Sequence, residues 1–125
     1  MLSDSRLVGF VATAAPEKAL HFYGAVLGLP LVEDTPFALV FSVSGTMLRL
    51  QKVERVAPPP YTVLGWSVRD IRAVVQSLVA AGVEFERYDG LLQDPQGIWS
   101  APGGALVAWF CDPDGNTLSV TQYAS

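Results

Sequence analysis

Arg49 stands among apolar neighbours in Met47-Leu-Arg-Leu-Gln51, a run in which polar residues alternate with leucine. A guanidinium in such a setting is a fork of donors suited to a carboxylate, phosphate or sulfonate. Tyr61 and Trp109 are aromatics able to stack on a planar ligand. Each has a second reading: Arg49 pairs with Glu33 or Asp34, and the two aromatics serve as core or dimer-interface residues. Groups for other chemistry are scarce. His21 is the sole histidine, and beside Phe22-Tyr23 it reads as an exposed or half-buried helix residue. Cys111 is the single cysteine; with no histidine near it in the expected fold, it reads as a small buried hydrophobe rather than a nucleophile. Asp112 and Asp114 read as turn formers, and Glu84 and Glu86 share one strand parity on a solvated face.

The elements that position these residues fall into two similar halves. Leu7 to Ala12 reads as a strand. A helix starts at Pro16, where the missing N–H is no loss, and runs to Leu27 with Leu20, Tyr23 and Leu27 on one side; Gly28 stops it. Strands follow at about 31–33, 37–43 and 46–51, with Ser44-Gly45 as a turn. The second half repeats the order. A strand spans Tyr61 to Val68, and Ile71, Val74, Val75 and Leu78 mark an amphipathic helix over 70–81, ended by Gly82. Strands are expected at 83–88, 97–101, 105–111 and 117–122, the last two joined as a hairpin by Asp112-Pro-Asp-Gly-Asn116. The helix-stop glycines are 54 residues apart, so the chain reads as two βαβββ modules. They span about 5–56 and 61–123, joined by a stiff spacer at 57–60 containing Pro58-Pro59-Pro60. Neither half of about 60 residues would build much core alone, so residues 1–125 are read as one α+β domain.

Bulk properties narrow the function classes. The chain has 125 residues, 50% hydrophobic and 16% charged, with mean hydropathy +0.34. That is apolar enough to suggest surface hidden in a pocket or a homodimer interface. The formal charge is −4, and no basic stripe is present to follow a phosphate backbone, which argues against nucleic acid. No apolar run reaches the roughly 20 residues needed to cross a bilayer. With no signal-peptide pattern and no disulfide pair, a cytoplasmic location is expected.

The Asp-Pro-Asp-Gly-Asn hairpin, together with Phe22-Tyr23 and Leu27-Gly-Leu-Pro30 closing the first helix, resembles the vicinal-oxygen-chelate superfamily, the glyoxalase, bleomycin-resistance and extradiol-dioxygenase group. The resemblance covers nearly the whole chain. It implies that the two modules curl a mixed sheet into a cup with the helices outside, and that members often pair as homodimers, some by exchanging modules. It also implies four cup-facing positions, where metal-dependent members hold their ion. Carried onto this chain they fall at Val8, at Arg49, at or beside Val63, and at Ser119. Valine offers no lone pair, neutral serine is a poor ligand, and arginine brings a permanent positive charge adverse to a dication. The expectation is therefore no metal and no cofactor.

With those positions facing in, alternation adds Phe10 beside Val8, Met47 and Gln51 beside Arg49, Tyr61 beside Val63, and Val107 and Trp109 opposite Ser119. Gly65, Ser67, Thr117 and Thr121 share that face. Leu7 and Val11 are left to pack under the first helix, and Leu48 and Leu50 go to the core. The lining is apolar and aromatic with one cation, the usual make-up of a small-molecule site. The favoured function is metal-free binding of a hydrophobic or aromatic, anionic small molecule. The alternative is a lyase, isomerase or dioxygenase-like enzyme of the same superfamily, either metal-dependent with displaced ligands or metal-independent with Arg49 and Tyr61 as electrophile and proton donor.

Overall fold

A computed structural model of the chain describes residues 1–124. The chain divides into two compact units, Met1–Ala57 and Pro58–Ser125, with the boundary inside the expected proline spacer. The order is β1 (Val8–Thr13), α1 (Pro16–Leu20), a wider helical turn (His21–Val26), β2 (Leu31–Asp34), β3 (Ala38–Val43) and β4 (Thr46–Lys52) in the first unit. The second has β5 (Thr62–Ser67), α2 (Ile71–Ala80), β6 (Trp99–Ser100), β7 (Leu106–Cys111) and β8 (Thr117–Gln122). Each unit holds one four-stranded mixed sheet, ordered β1-β4-β3-β2 and β5-β8-β7-β6. In each sheet the first strand pairs in parallel with the last, and the other pairings are antiparallel. The α+β class and the repeated module order are as the sequence predicts.

In the first unit the core lies where the helical layer meets the sheet. Tyr23, Phe41, Leu39 and Leu50 are fully buried there, and Tyr23 sits with its ring centroid 6.1 Å from that of Phe41. Burying each such side chain stabilises the unit by roughly 1.5–3 kcal/mol. The first helix is not one α-helix to Leu27. After Leu20 it widens, so that Leu27 N–H donates to Phe22 O at 2.8 Å, five residues back. His, Phe, Tyr and Gly in succession are all weaker helix formers than Ala or Leu, so the packing of Phe22 and Tyr23, in edge contact at 5.3 Å, can set the local geometry. Phe37 lies outside β3, because Thr35 Oγ1 accepts from the Phe37 and Ala38 N–H groups and makes a turn there. Leu7 does not pack under the helix. It precedes β1 and is 77% exposed.

In the second unit α2 begins at Asp70, whose carboxylate accepts from Ala73 N–H at 3.2 Å, and buries Ile71 and Val75. It packs on β7 and β8. The hairpin turn is built as the sequence predicts. Asp112 Oδ1 accepts from the Asp114 and Asn116 N–H groups at 2.9 and 3.0 Å, Asn116 Nδ2 donates to Oδ2, and Gly115 supplies φ +87°. β5 starts at Thr62, leaving Tyr61 outside it. Residues 83–88 are not a strand. They touch β7 through one bridge, Phe85 with Phe110, and Glu86 N–H donates to Trp109 O at 2.8 Å. A side-chain amide supplies the other partners: Gln93 Nε2 donates to Glu86 O and Gly97 O, and Gln93 Oε1 accepts from Tyr88 N–H. The strand expected at 97–101 shrinks to β6 for a related reason, since Gly97 turns the chain at φ +88°. No helix among the described residues is long and apolar enough to cross a membrane.

Candidate functional site

In the first unit the ladder brings five of the expected site residues onto one sheet face. Val8 pairs with Met47, Phe10 with Arg49, and Ala12 with Gln51 along the parallel β1–β4 ladder; paired residues in register project to the same side. Across β3 the same rows continue into Ser42, Val40 and Ala38. Leu48 and Leu50 alternate away into the core and are buried. The face is strongly apolar, and Phe10 is 60% exposed on it. Arg49 lies half-buried between Phe10 and Val40. Neither acid named as its alternative partner holds it. Asp34 is bound to Lys52 Nζ at 2.6 Å, and among the described residues no ion pair joins Arg49 to Glu33 or to any other carboxylate. A pocket of about 240 Å³ opens beside this row, lined by Val8, Val40 and Met47 with Arg6, Val32 and Ser42. Larger hollows, of about 460 Å³ beside α1 and about 700 Å³ between α2 and residues 83–97, touch none of the expected site residues.

In the second unit Trp109, Ser119 and Gly65 form one row across β7, β8 and β5. The next row holds Val107, Thr121 and Ser67, continued by Trp99 of β6. Ser119 is 8% exposed, and its hydroxyl lies over Gly65, where a Cβ would come within 2.7 Å of Oγ. Val63 and Tyr61 are less simply placed. The β5–β8 register shifts between Thr62 and Leu64, so Thr62 pairs with Thr117 and Val63 falls in the irregularity. Tyr61 precedes the strand and is 66% exposed.

Sequence reasoning missed three residues on the Trp109 face. Tyr88 meets Trp109 edge-on at 5.4 Å and 79°, and Trp99 lies 6.0 Å from it at 35°. Glu86, expected on a solvated face beside Glu84, is half-buried instead, opposite Trp109 by its backbone bond. Alternation alone could not reveal this, because residues 83–88 have no strand partner along their length. Burial pushes the Cys111 thiol up from its ordinary range, and the Glu86 carboxylate, by its charge and by accepting the thiol proton, pushes the same way. Burial, then the charges of Cys111 and Glu86, likewise raise the Tyr88 phenol. Both therefore stay protonated at neutral pH, and Cys111 is no thiolate nucleophile.

The four positions that the family resemblance marks for a metal can be placed on the two sheets. Val8 and Arg49 share the first sheet's face without any carboxylate or imidazole, and Ser119 packs against Gly65. Among the described residues no three His, Cys, Asp or Glu side chains group closely enough to hold an ion. The donors present do not fit a divalent metal.

Comparison with known proteins agrees with this architecture. A glyoxalase/bleomycin resistance protein/dioxygenase family protein of Sphaerobacter thermophilus DSM 20745 superposes with TM-score 0.75 at 24% identity, over 98% of this chain and 99% of that one. A glyoxalase/bleomycin resistance protein/dioxygenase of Alicyclobacillus acidocaldarius gives 0.71 at 19%, over 98% and 93%. A lactoylglutathione lyase of Agrobacterium tumefaciens gives 0.73 at 16%, over 95% and 93%. At these identities the likeness is one of fold. No curated protein sequence matches the chain significantly. The family model for the Glyoxalase/Bleomycin resistance protein/Dioxygenase superfamily, however, matches residues 7–120, and with both modules inside that span the chain belongs to this superfamily.

Proposed function

We propose that this protein is a metal-free small-molecule-binding protein of the glyoxalase/bleomycin-resistance type, whose ligand is a hydrophobic or aromatic acid held against the Val8–Arg49 face. The observation that carries this reading is Arg49. Its guanidinium is half-buried on an apolar face, and no carboxylate of the described residues pairs with it. A charge so placed lacks both full solvation and a partner, and a bound carboxylate would supply two parallel hydrogen bonds. Phe10, Val8 and Met47 around it offer apolar contact for the ligand body. The metal-independent enzyme reading has less support, since Tyr61, its proton donor, is exposed outside β5. Exposed Val8, Phe10, Val32, Phe37 and Met47 support a homodimer, checked by sedimentation.

Isothermal titration with aromatic carboxylates such as 2-naphthoate tests the ligand class. Loss of a charge-assisted pair worth about 1.5–3 kcal/mol would weaken binding about 10- to 100-fold in Arg49→Ala, with Arg49→Lys between the two because lysine lacks the planar fork. Equal affinity in wild type and Arg49→Ala, both folded, would remove the basis of the reading.

A further inference from the structure

The net charge of the chain is not evenly spread. Residues 1–57 carry five basic and five acidic side chains, whereas residues 58–125 carry three arginines (69, 72 and 87) against seven acids. The whole formal charge of −4 therefore belongs to the second unit. Arg72 is engaged with Asp94 and Gln96, and Arg87 donates to the carbonyls of Asp94 and Pro95. Glu86 is half-buried; it accepts a hydrogen bond from the Cys111 thiol but has no salt-bridge partner among the described residues.

Glu86 lies opposite Trp109 by its backbone bond and close enough to Tyr88 for its charge to act on the phenol, and Trp109 belongs to a cluster of three rings. Trp109 and Trp99 form a tilted platform, their centroids 6.0 Å apart, and Tyr88 rises at 79° to Trp109 as a side wall. Beside Trp109 the sheet presents only Ser119 and Gly65, so no large side chain of that row occupies the space next to the rings. One residue holds the arrangement together. Gln93 donates to Glu86 O, accepts from Tyr88 N–H, and bridges to Trp99. The ring faces carry negative quadrupole charge, and an organic cation within about 6 Å of such a centroid is attracted to it. A carboxylate at the edge of the platform adds a full negative charge of the same preference.

We propose that the Trp99–Trp109–Tyr88 platform with Glu86 is a subsite for a compact organic cation, an alkylammonium or quaternary ammonium group. This goes beyond the reading drawn from Arg49 and uses none of its residues. The three rings would supply faces for the cation, and the Glu86 carboxylate, which has the Cys111 thiol but no base among the described residues as partner, would supply the countercharge.

The test is a titration of the intact protein with choline and with its neutral isostere 3,3-dimethylbutan-1-ol, followed through the tryptophan indole NMR signals. Choline is expected to shift the Trp99 and Trp109 signals saturably, and the alcohol to bind at least ten times more weakly. Glu86→Gln, a near-isosteric change at a position outside the core, should weaken choline about 5- to 20-fold. The aromatic-acid reading is tested separately, by 2-naphthoate titration of wild type and Arg49→Ala, so failure of either proposal is distinguishable from failure of the other. No saturable shift, equal affinity for the isostere, or an unaltered titration in Glu86→Gln would each overturn the proposal.

Discussion

At the scale of single residues, the Cys111–Glu86 pair shows how a carboxylate can quiet a thiol. Cys111 faces the Trp109 side of the second sheet, half-buried and paired with Thr117 across the ladder. Burial disfavours the thiolate most, and Glu86 adds both charge repulsion and a hydrogen bond to the thiol form; the Asp112 charge acts in the same sense, while a hydrogen bond from Thr117 opposes them. The thiolate is the species that reacts with alkylating reagents. Glu86→Gln removes the repulsion and weakens the acceptor, so the thiol should ionise at lower pH. Alkylation by iodoacetamide at pH 8 is expected to be slow in the wild type and several-fold faster in the variant. The acceleration should shrink once the pH is high enough to ionise the thiol in both proteins. An unchanged rate would mean that burial alone governs the thiol.

At the scale of elements, the loop after residue 93 is fastened to α2 through Arg72, which donates to the Asp94 carboxylate and to the Gln96 side chain. Partial burial alone would raise the Asp94 carboxyl, but the hydrogen bond from Arg72, those from the Ile98 and Gln96 N–H groups, and the Arg72 charge outweigh it and hold the group below its ordinary value. A carboxyl depressed in the folded state gives stability that is present above its unfolded pKa and is lost as pH falls through the folded one. Asp94→Asn keeps an oxygen for the backbone donors but loses the ion pair. Because Arg72 is more than half exposed, that pair contributes about 1 kcal/mol or less. The variant should melt about 1–4 °C lower at pH 7, and the two melting curves should converge below pH 4. Curves that stay parallel from pH 7 to pH 3 would show that the ion pair contributes nothing. The same region marks the limit of what patterning reveals. Strands with leucine alternation, such as β4, and the Asp112–Asn116 turn were legible, because periodicity and turn chemistry act locally. The strand expected at 83–88 is absent and that at 97–101 shrinks to β6, because the Gln93 side chain, from the connection between them, takes bonds a neighbouring strand would have made. Arg49 could be placed on its face from alternation, whereas Glu86 could not, since its facing depends on that bonding alone. The irregular register at Val63 was invisible for the same reason: nothing in its own residues signals a shift against β8.

At the scale of the whole molecule, a fold whose relatives include enzymes carries here a residue set ill-suited to a divalent ion. The positions at which the family resemblance leads one to expect metal ligands are Val8, Arg49 and Ser119, with Val63 at the β5 irregularity, and no group of three candidate donors occurs among the described residues. The physical consequence can be measured without knowing any substrate. An ion that binds the folded state alone stabilises it by RT ln(1 + [L]/Kd), about 2.7 kcal/mol at a hundredfold excess over Kd. In a chain of this size that is a rise of roughly 5–15 °C in melting temperature. Melting in excess chelator, and then with Zn²⁺, Ni²⁺ or Mn²⁺ at a hundred times a micromolar Kd, is expected to move the midpoint by less than about 1 °C. A metal-dependent rise, or a fall on chelation, would show that donors outside the four positions gather an ion after all, and the arginine at position 49 would then have to turn away from it.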